Sequence, residues 1–152
     1  MSVRTRVIAL GQRAAGDDGV GFAVLEELQR RGTPPSVEVL CANDATDLLW
    51  LLETSATVVL VDAAVGTSPG QVMALDSTEL TLSGVQPISS HGLGVGEVVE
   101  LARMLAPERV CGEIRIVVIT IDRPDRRRMT LSPSVAGAIV RAADRVLELT
   151  RE

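Results

Sequence analysis

Thr57-Val58-Val59-Leu60-Val61-Asp62-Ala63 is the most apolar strand-like stretch of the chain, and it decides the predicted fold. Its β-branched and aliphatic residues favour a β-strand. Because the run is apolar on both faces, it suits the centre of a parallel sheet that helices cover on each side. The stretch therefore predicts an α/β protein with a buried central strand.

Outward from this strand, short β-branched runs alternate with longer segments of helical period, which is typical of a mostly parallel sheet. Strands are predicted at 6–10, 37–41, 57–63 and 114–121, and a shorter edge strand, with antiparallel pairing as one option, at 70–75. Helices are predicted at 19–31, 45–52 and 94–105 and from 132 onward. The segment 76–92 has no clear period and predicts a long loop.

These elements predict one domain over residues 1–152. Its expected fold is a three-layer α/β sandwich, in which a mostly parallel, twisted sheet of about five strands carries helices on both faces. The appearance would be flavodoxin-like and phosphorylase/hydrolase-like. The length of 152 residues, with 46% hydrophobic and 23% charged residues, fits a single soluble globular domain.

The composition excludes several kinds of chemistry. All 15 Lys and Arg residues are Arg, and the chain has no Tyr and a single His, His91. A Schiff-base lysine, a phosphate-loop lysine and a Tyr general acid are therefore excluded. Any imidazole chemistry must use His91.

The charge balance and the cysteines limit the partners and the compartment. A net charge of −5 and 1% aromatic residues argue against nucleic-acid binding. The apolar runs are too short for a signal peptide or a membrane span, so no membrane insertion is expected. Cys41 and Cys111 are isolated from each other, which predicts reduced, buried cysteines in a cytoplasmic protein.

Polar residues cluster where strands are expected to end. Asp17 and Asp18 lie between the first strand and the first helix, Asp62 ends the central strand, and His91 directly precedes the third predicted helix. Ligands of open α/β sheets bind beyond the carboxyl ends of the strands, and two carboxylates with one imidazole suit Ni²⁺ or Zn²⁺. The residues alone leave other roles open: helix capping for Asp17 and Asp18, a turn or cap for Asp62, and an exposed loop position for His91.

Four spaced segments resemble the signatures of the nickel-hydrogenase maturation proteases. The segment 9–21 resembles their opening signature, which places a Gly-x-Gly-Asn stretch before an acidic pair and Gly-x-Gly. Val61-Asp62-Ala63 with Gly66 and Pro69-Gly70 resembles the second, Ser90-His91-Gly92-Leu93 the third, and 131–138 the last helix. Four signatures in order are more specific than any one of them. Ala9 and Gln12 depart from the family's usual Gly and Asn.

The resemblance implies an endopeptidase that removes the C-terminal extension of a nickel-iron hydrogenase large-subunit precursor after nickel insertion. Asp18, Asp62 and His91 match the metal-contacting positions, and the implied nickel is supplied by the substrate rather than held tightly. The nickel would serve as a recognition template, with the same three residues in the catalytic site. Supporting roles fall to the neighbouring positions, which are Asp17, Gly11, Gln12 and Gly19. A monomer that engages its client transiently is expected.

Two other functions stay open. One is a non-catalytic nickel-binding maturation chaperone on the same fold, and the other is a phosphate- or nucleotide-binding flavodoxin-like domain. The second is weakened because 11–16 contains no Lys, Ser or Thr. The only basic cluster lies in the predicted loop after the last strand, where Arg126, Arg127 and Arg128 are candidates for docking an acidic patch of the client, with a solvated loop as the alternative.

Overall fold

A computed structural model describes residues 2–10, 19–87, 94–110, 112–122 and 132–151. It contains six strands and five helices over these residues, which are β1 (Thr5–Ala9), α1 (Val20–Arg31), β2 (Val37–Cys41), α2 (Ala45–Leu51), β3 (Thr57–Val65), β4 (Val72–Leu75), α3 (Ser77–Leu82), β5 (Gln86–Pro87), α4 (Val95–Leu105), β6 (Ile114–Ile121) and α5 (Pro133–Thr150). The strand order is β2-β1-β3-β6-β4, and β5 pairs with β3 beside this path.

The sheet confirms the predicted α/β architecture. β1, β2, β3 and β6 are parallel, while β4 runs antiparallel to β6 at the edge. The order of the four parallel strands is that of the flavodoxin-like arrangement. β3 lies at the centre between β1 and β6, as its apolar sequence predicts.

Alternate residues of β3 point into two separate cores, one on each face of the sheet. Val59, Val61 and Ala63 pack in the core that α1 and α5 cover. Val58, Leu60 and Ala64 pack in the core beneath α2 and α4. This burial on both faces accounts for the continuous apolar run.

Several predicted element boundaries are confirmed. β2 and β6 have the predicted bounds, and α5 starts with Pro133 at its first position, where the missing N–H costs nothing. α2 begins after Asp44, whose side chain accepts a hydrogen bond from the backbone N–H of Asp47 at 2.8 Å. β3 continues two residues beyond the predicted Ala63.

The predicted long loop over 76–92 is wrong in its described part. A short helix, α3, starts directly after Asp76, and β5 follows it. Asp76 accepts from the N–H of Glu79 at 2.7 Å, and Glu79 accepts from the N–H of Asp76 at 3.0 Å. This reciprocal capping box stabilises a helix that is too short to show a clear period.

The predicted burial of Cys41 is wrong, because this residue is exposed. It is the last residue of β2, the edge strand beside β1. No further strand covers this end in the part of the chain that the structure describes. Cys111 lies outside the described residues.

Charged side chains tie α1 to α5 across the surface. Arg31 donates to the carboxylate of Asp144 at 2.7 Å, and Arg30 and Arg31 both donate to Glu27. The hydrogen bonds from Arg30 hold the pKa of the Glu27 carboxyl below its usual range. The contact between Arg31 and Asp144 thus links the C-terminal end of α1 to α5.

None of the described helices is long and apolar enough to span a bilayer.

A buried hydroxyl fastens the turn between β3 and β4 to β6. Thr120 is 1% exposed, and its hydroxyl donates to the Ser68 carbonyl at 2.5 Å and accepts from the Gln71 N–H at 2.8 Å. The Gly70 N–H donates to the Thr120 carbonyl at 2.7 Å. These bonds hold the turn at the carboxyl end of β6.

Replacing Thr120 by Val is expected to lower the free energy of unfolding by about 1–3 kcal/mol, because the Ser68 carbonyl and the Gln71 N–H lose their partner. Thr120→Ser, which keeps the hydroxyl and loses one buried methyl group, should cost only about 1 kcal/mol. Urea denaturation of both variants measures the difference. A Val variant as stable as wild type would show that the hydroxyl does not fasten the turn.

Candidate active site

Asp62 is a carboxylate buried inside the central strand. It is 3% exposed and pairs in register with Val118 of β6. One carboxylate oxygen accepts a hydrogen bond from the N–H of Ala63 at 2.8 Å. A carboxylate inside an apolar strand is uncommon, because its burial has to be compensated by hydrogen bonds or a positive charge. Asp62 is therefore the described residue with the strongest claim to a function.

The position of Asp62 differs slightly from the prediction that it ends the strand. β3 continues to Val65, so Asp62 lies inside it. The neighbouring strand β1 does end here, because its last residue, Ala9, pairs with Val61. The N–H of Leu10 then donates to the Val61 carbonyl at 2.9 Å. Asp62 thus lies one residue beyond the end of β1, at the edge where the sequence predicts a ligand crevice.

α1 begins unusually close to this edge. A Cβ atom on Gly21 would lie 2.4 Å from the Leu10 carbonyl oxygen and 3.1 Å from that of Val61. Only a glycine lets the first turn of α1 come this near to the ends of β1 and β3. Gly21 ends the segment 9–21 that resembles the opening signature, and this contact explains why a glycine stands there.

The start of α1 bears on the capping alternative for the acidic pair. The N-cap residue is Gly19, which has no side chain of its own to cap the helix. Asp17 and Asp18 lie outside the described residues, so a capping role for either stays an open alternative. Ala9, one of the two departures from the family signature, is fully buried in a cluster with Phe22 and Leu25 of α1. Its methyl group adds to the packing that fixes this helix.

The face of the sheet that carries Asp62 also carries α4. By strand alternation, Asp62 points to the same side as Leu60 and Ala64, whose core includes Val95 and Val98 of α4. Gly94 is the N-cap of that helix. The residue that precedes this helix in the sequence prediction, His91, lies outside the described residues.

Most other predicted site residues also lie outside the described residues. These are Asp18, Asp17, Gly11 and Gln12 before α1, and Arg126, Arg127 and Arg128 after β6. Within the described ranges, no group of three or more His, Cys, Asp or Glu side chains is placed to hold a metal ion. The structure therefore describes Asp62 and Gly19 of the predicted site, and the remaining positions stay predictions.

Sequence reasoning missed Thr120, which the structure places at the carboxyl end of the strand beside β3. A lone Thr in an otherwise apolar strand, Ile114-Arg115-Ile116-Val117-Val118-Ile119-Thr120-Ile121, was the available signal. A buried hydroxyl needs partners, and the β3–β4 turn supplies them.

Comparison with known proteins identifies the family of this chain. The family model for hydrogenase maturation proteases, HycI, matches residues 22–149. The chain belongs to the hydrogenase maturation protease family. This family membership places it among the peptidases, and the sequence resemblance is confirmed.

Individual relatives cover nearly the whole chain. Protein FrxA of Pyrococcus furiosus is 32% identical over 138 residues, which cover 90% of this chain and 98% of the relative. The hydrogenase 2 maturation protease of Escherichia coli is 27% identical, over 99% of this chain and 92% of the relative. Among solved structures, the hydrogenase maturating endopeptidase HybD from E. coli is 25% identical and superposes with a TM-score of 0.78, covering 98% of this chain and 93% of that one.

Proposed function

We propose that this protein is an endopeptidase that removes the C-terminal extension of a nickel-iron hydrogenase large-subunit precursor after nickel insertion. The observation that carries the proposal is the carboxylate of Asp62, 3% exposed within an apolar strand and one residue beyond the end of β1. Family membership supports the peptidase class and the client. The E. coli relatives are named a hydrogenase 2 maturation protease and a hydrogenase maturating endopeptidase.

In this proposal the substrate presents its nickel ion to Asp18, Asp62 and His91. Carboxylate oxygens and an imidazole nitrogen suit a borderline divalent metal such as nickel. A buried carboxylate gains most from a cation, because little water competes for it. The nickel thus acts as the recognition element, and the acids belong to an aspartic-type or metal-dependent peptidase site. The nickel ion is supplied by the precursor and is not retained by the enzyme.

Incubation with the large-subunit precursor tests the proposal. The expected result is loss of the C-terminal peptide from nickel-loaded precursor, seen as a mass decrease, and no loss from the nickel-free precursor. Equal cleavage of both forms would contradict nickel recognition. Binding of the loaded precursor with its tail left intact would instead support a non-catalytic chaperone.

We further propose that the protein works in the cytoplasm as a monomer that meets its client transiently. Cell fractionation tests the compartment, and sedimentation tests the oligomeric state. A sedimentation experiment without client should give a single species close to 16.1 kDa. A stable dimer would contradict the monomer.

A further inference from the structure

β4 is an edge strand of the sheet that the described residues form. It pairs with β6 on one side, and no strand of the described part of the chain pairs with its other side. The N–H of Thr120 donates to the Gln71 carbonyl, so residues 71, 73 and 75 face β6 in this antiparallel ladder. Val72 and Ala74 consequently direct their backbone N–H and C=O groups away from the sheet. Such an edge can accept another extended chain.

The two edges of the sheet are not protected alike. β4 reads Val72-Met73-Ala74-Leu75 and contains no charge and no proline. The opposite edge strand, β2, carries Glu38 in an ion pair with Arg6 at 2.9 Å. Charges and prolines are the usual means of preventing unwanted strand pairing, and β4 lacks both. Its apolar edge therefore fits a strand that takes up a partner.

A groove lies between this edge and α5. One arginine of its lining makes no ion pair with any carboxylate that the structure describes. The groove measures about 720 Å³ and is lined by residues 70–73 of the edge and by Arg141, Asp144, Arg145 and Glu148 of α5. Asp144 is bound by Arg31 at 2.7 Å and Glu148 by Arg145 at 2.9 Å.

Arg141 differs from these paired residues. It donates to the carbonyls of Gly70 and Gly137, at 2.7 and 3.1 Å, and makes no ion pair with a described carboxylate. An arginine keeps its full charge at neutral pH and has five N–H donors. The groove is therefore complementary to an extended chain that carries an acidic side chain.

The direction of the strands connects this edge to Asp62. β4 runs antiparallel to β6, so a chain added antiparallel to β4 would run parallel to β3 and leave at the carboxyl edge. Arg141 lies at that exit, because it contacts Gly70 just before the start of β4.

The distance from Asp62 on β3 to a strand added beside β4 is short. Asp62, Val118 and Met73 pair in one row across the sheet. With strands about 4.8 Å apart, an added strand lies roughly 14 Å from β3. An extended chain at about 3.3 Å per residue spans this distance in four to five residues.

From these observations we infer that the free edge of β4 docks the client. An extended segment of the precursor adds to β4 as an antiparallel strand. This segment lies about five residues before the scissile bond and carries an acidic residue that binds Arg141. This inference rests on the proposed function, because it names the surface that holds the same substrate. The docked chain runs toward the carboxyl edge and delivers the scissile bond to Asp62.

Hydrogen–deuterium exchange on the wild-type protein tests the docking directly. Adding nickel-loaded precursor should slow exchange of the Val72 and Ala74 amides, which the ladder to β6 leaves free. Unchanged exchange at both amides, with wild-type cleavage of the same precursor, would overturn the docking and leave the proposed function standing. Slowed exchange without any cleavage would support the docking and contradict the proposed function.

Variants separate strand addition from general damage. Ala74→Pro removes the outward N–H without removing a bond to β6 and should raise the KM for the precursor about 3- to 10-fold with kcat unchanged. Ala74→Val keeps the N–H and should leave the KM within about twofold. Thermal melting checks that the proline variant folds, and if it does not, the exchange experiment on wild type decides. An unchanged KM in a folded proline variant would overturn the inference.

The charge is tested in the same assay. Arg141→Gln should raise the KM by at least about threefold, with a smaller effect at high salt. Arg103→Gln makes the same charge change on α4, outside the groove, and should leave the KM unchanged. Equal effects of both substitutions would contradict a specific role for Arg141. A concentration-dependent dimer of wild type that Ala74→Pro abolishes would assign the edge to a second copy of this chain and overturn client docking.

Discussion

Asp62→Asn is expected to slow cleavage of nickel-loaded precursor by about 100-fold or more, the range found when an acid–base group or ligand is removed from a site. The side chain keeps its size and loses its charge. Since the carboxylate is 3% exposed, that charge acts in a medium that screens it weakly. Single-turnover cleavage, followed by mass spectrometry, measures the change.

The fold of this variant should survive. The amide oxygen of Asn can still accept the hydrogen bond from Ala63, which the carboxylate accepts at 2.8 Å. Because Asn has the same size as Asp, the variant should still fold, with a melting temperature within about 5 °C of wild type. A loss of cleavage in a variant that still melts cooperatively is the result that a merely structural aspartate would not give.

Asp44→Asn is the matched control. Asp44 caps α2 by accepting from the N–H of Asp47, and Asn is an equally good N-cap. The same chemical change, made at a cap instead of in β3, should leave both stability and cleavage rate unchanged. If Asp62→Asn cleaves as fast as this control, Asp62 has no part in the reaction.

The sequence predicted the architecture because the signals for β3 and β6 are long and strong. Both runs are buried on two faces, so nearly every residue carries the apolar signal. α3 was missed for the opposite reason. It has six residues, and its evidence is the pair Asp76 and Glu79 at capping-box spacing, which a search for periodicity does not detect.

The candidate site was predictable only in part. Asp62 could be found because a charged residue interrupts an apolar strand. Gly21 could be noted in a signature, but its contact with the Leu10 carbonyl depends on how a helix crosses a strand end, which a linear pattern does not encode. Arg141 is one of two arginines on α5, and only the ion pairs of its neighbours distinguish it. The roles of Gly21 and Arg141 therefore follow from their contacts in the folded chain, and residue type and spacing in the sequence do not reveal them.

Gly21→Ala should destabilise the protein strongly for so small a substitution. The new Cβ would lie 2.4 Å from the Leu10 carbonyl oxygen, and a backbone atom cannot rotate away as a flexible side chain can. α1 or the end of β1 must shift, at a cost of about 2–3 kcal/mol. For a chain of this length, the melting temperature should fall by roughly 5–10 °C. Cleavage should fall as well, since the contact lies beside Asp62.

Gly137→Ala provides the control within the same fold. Gly137 lies in α5, and a Cβ added there meets nothing within 4 Å. Alanine is the better helix former, so this substitution should raise the free energy of unfolding by about 0.5–1 kcal/mol. The two identical changes should therefore move stability in opposite directions in urea denaturation. If both stabilise the protein alike, α1 does not press against the ends of β1 and β3, and another contact must hold the helix at the edge that carries Asp62.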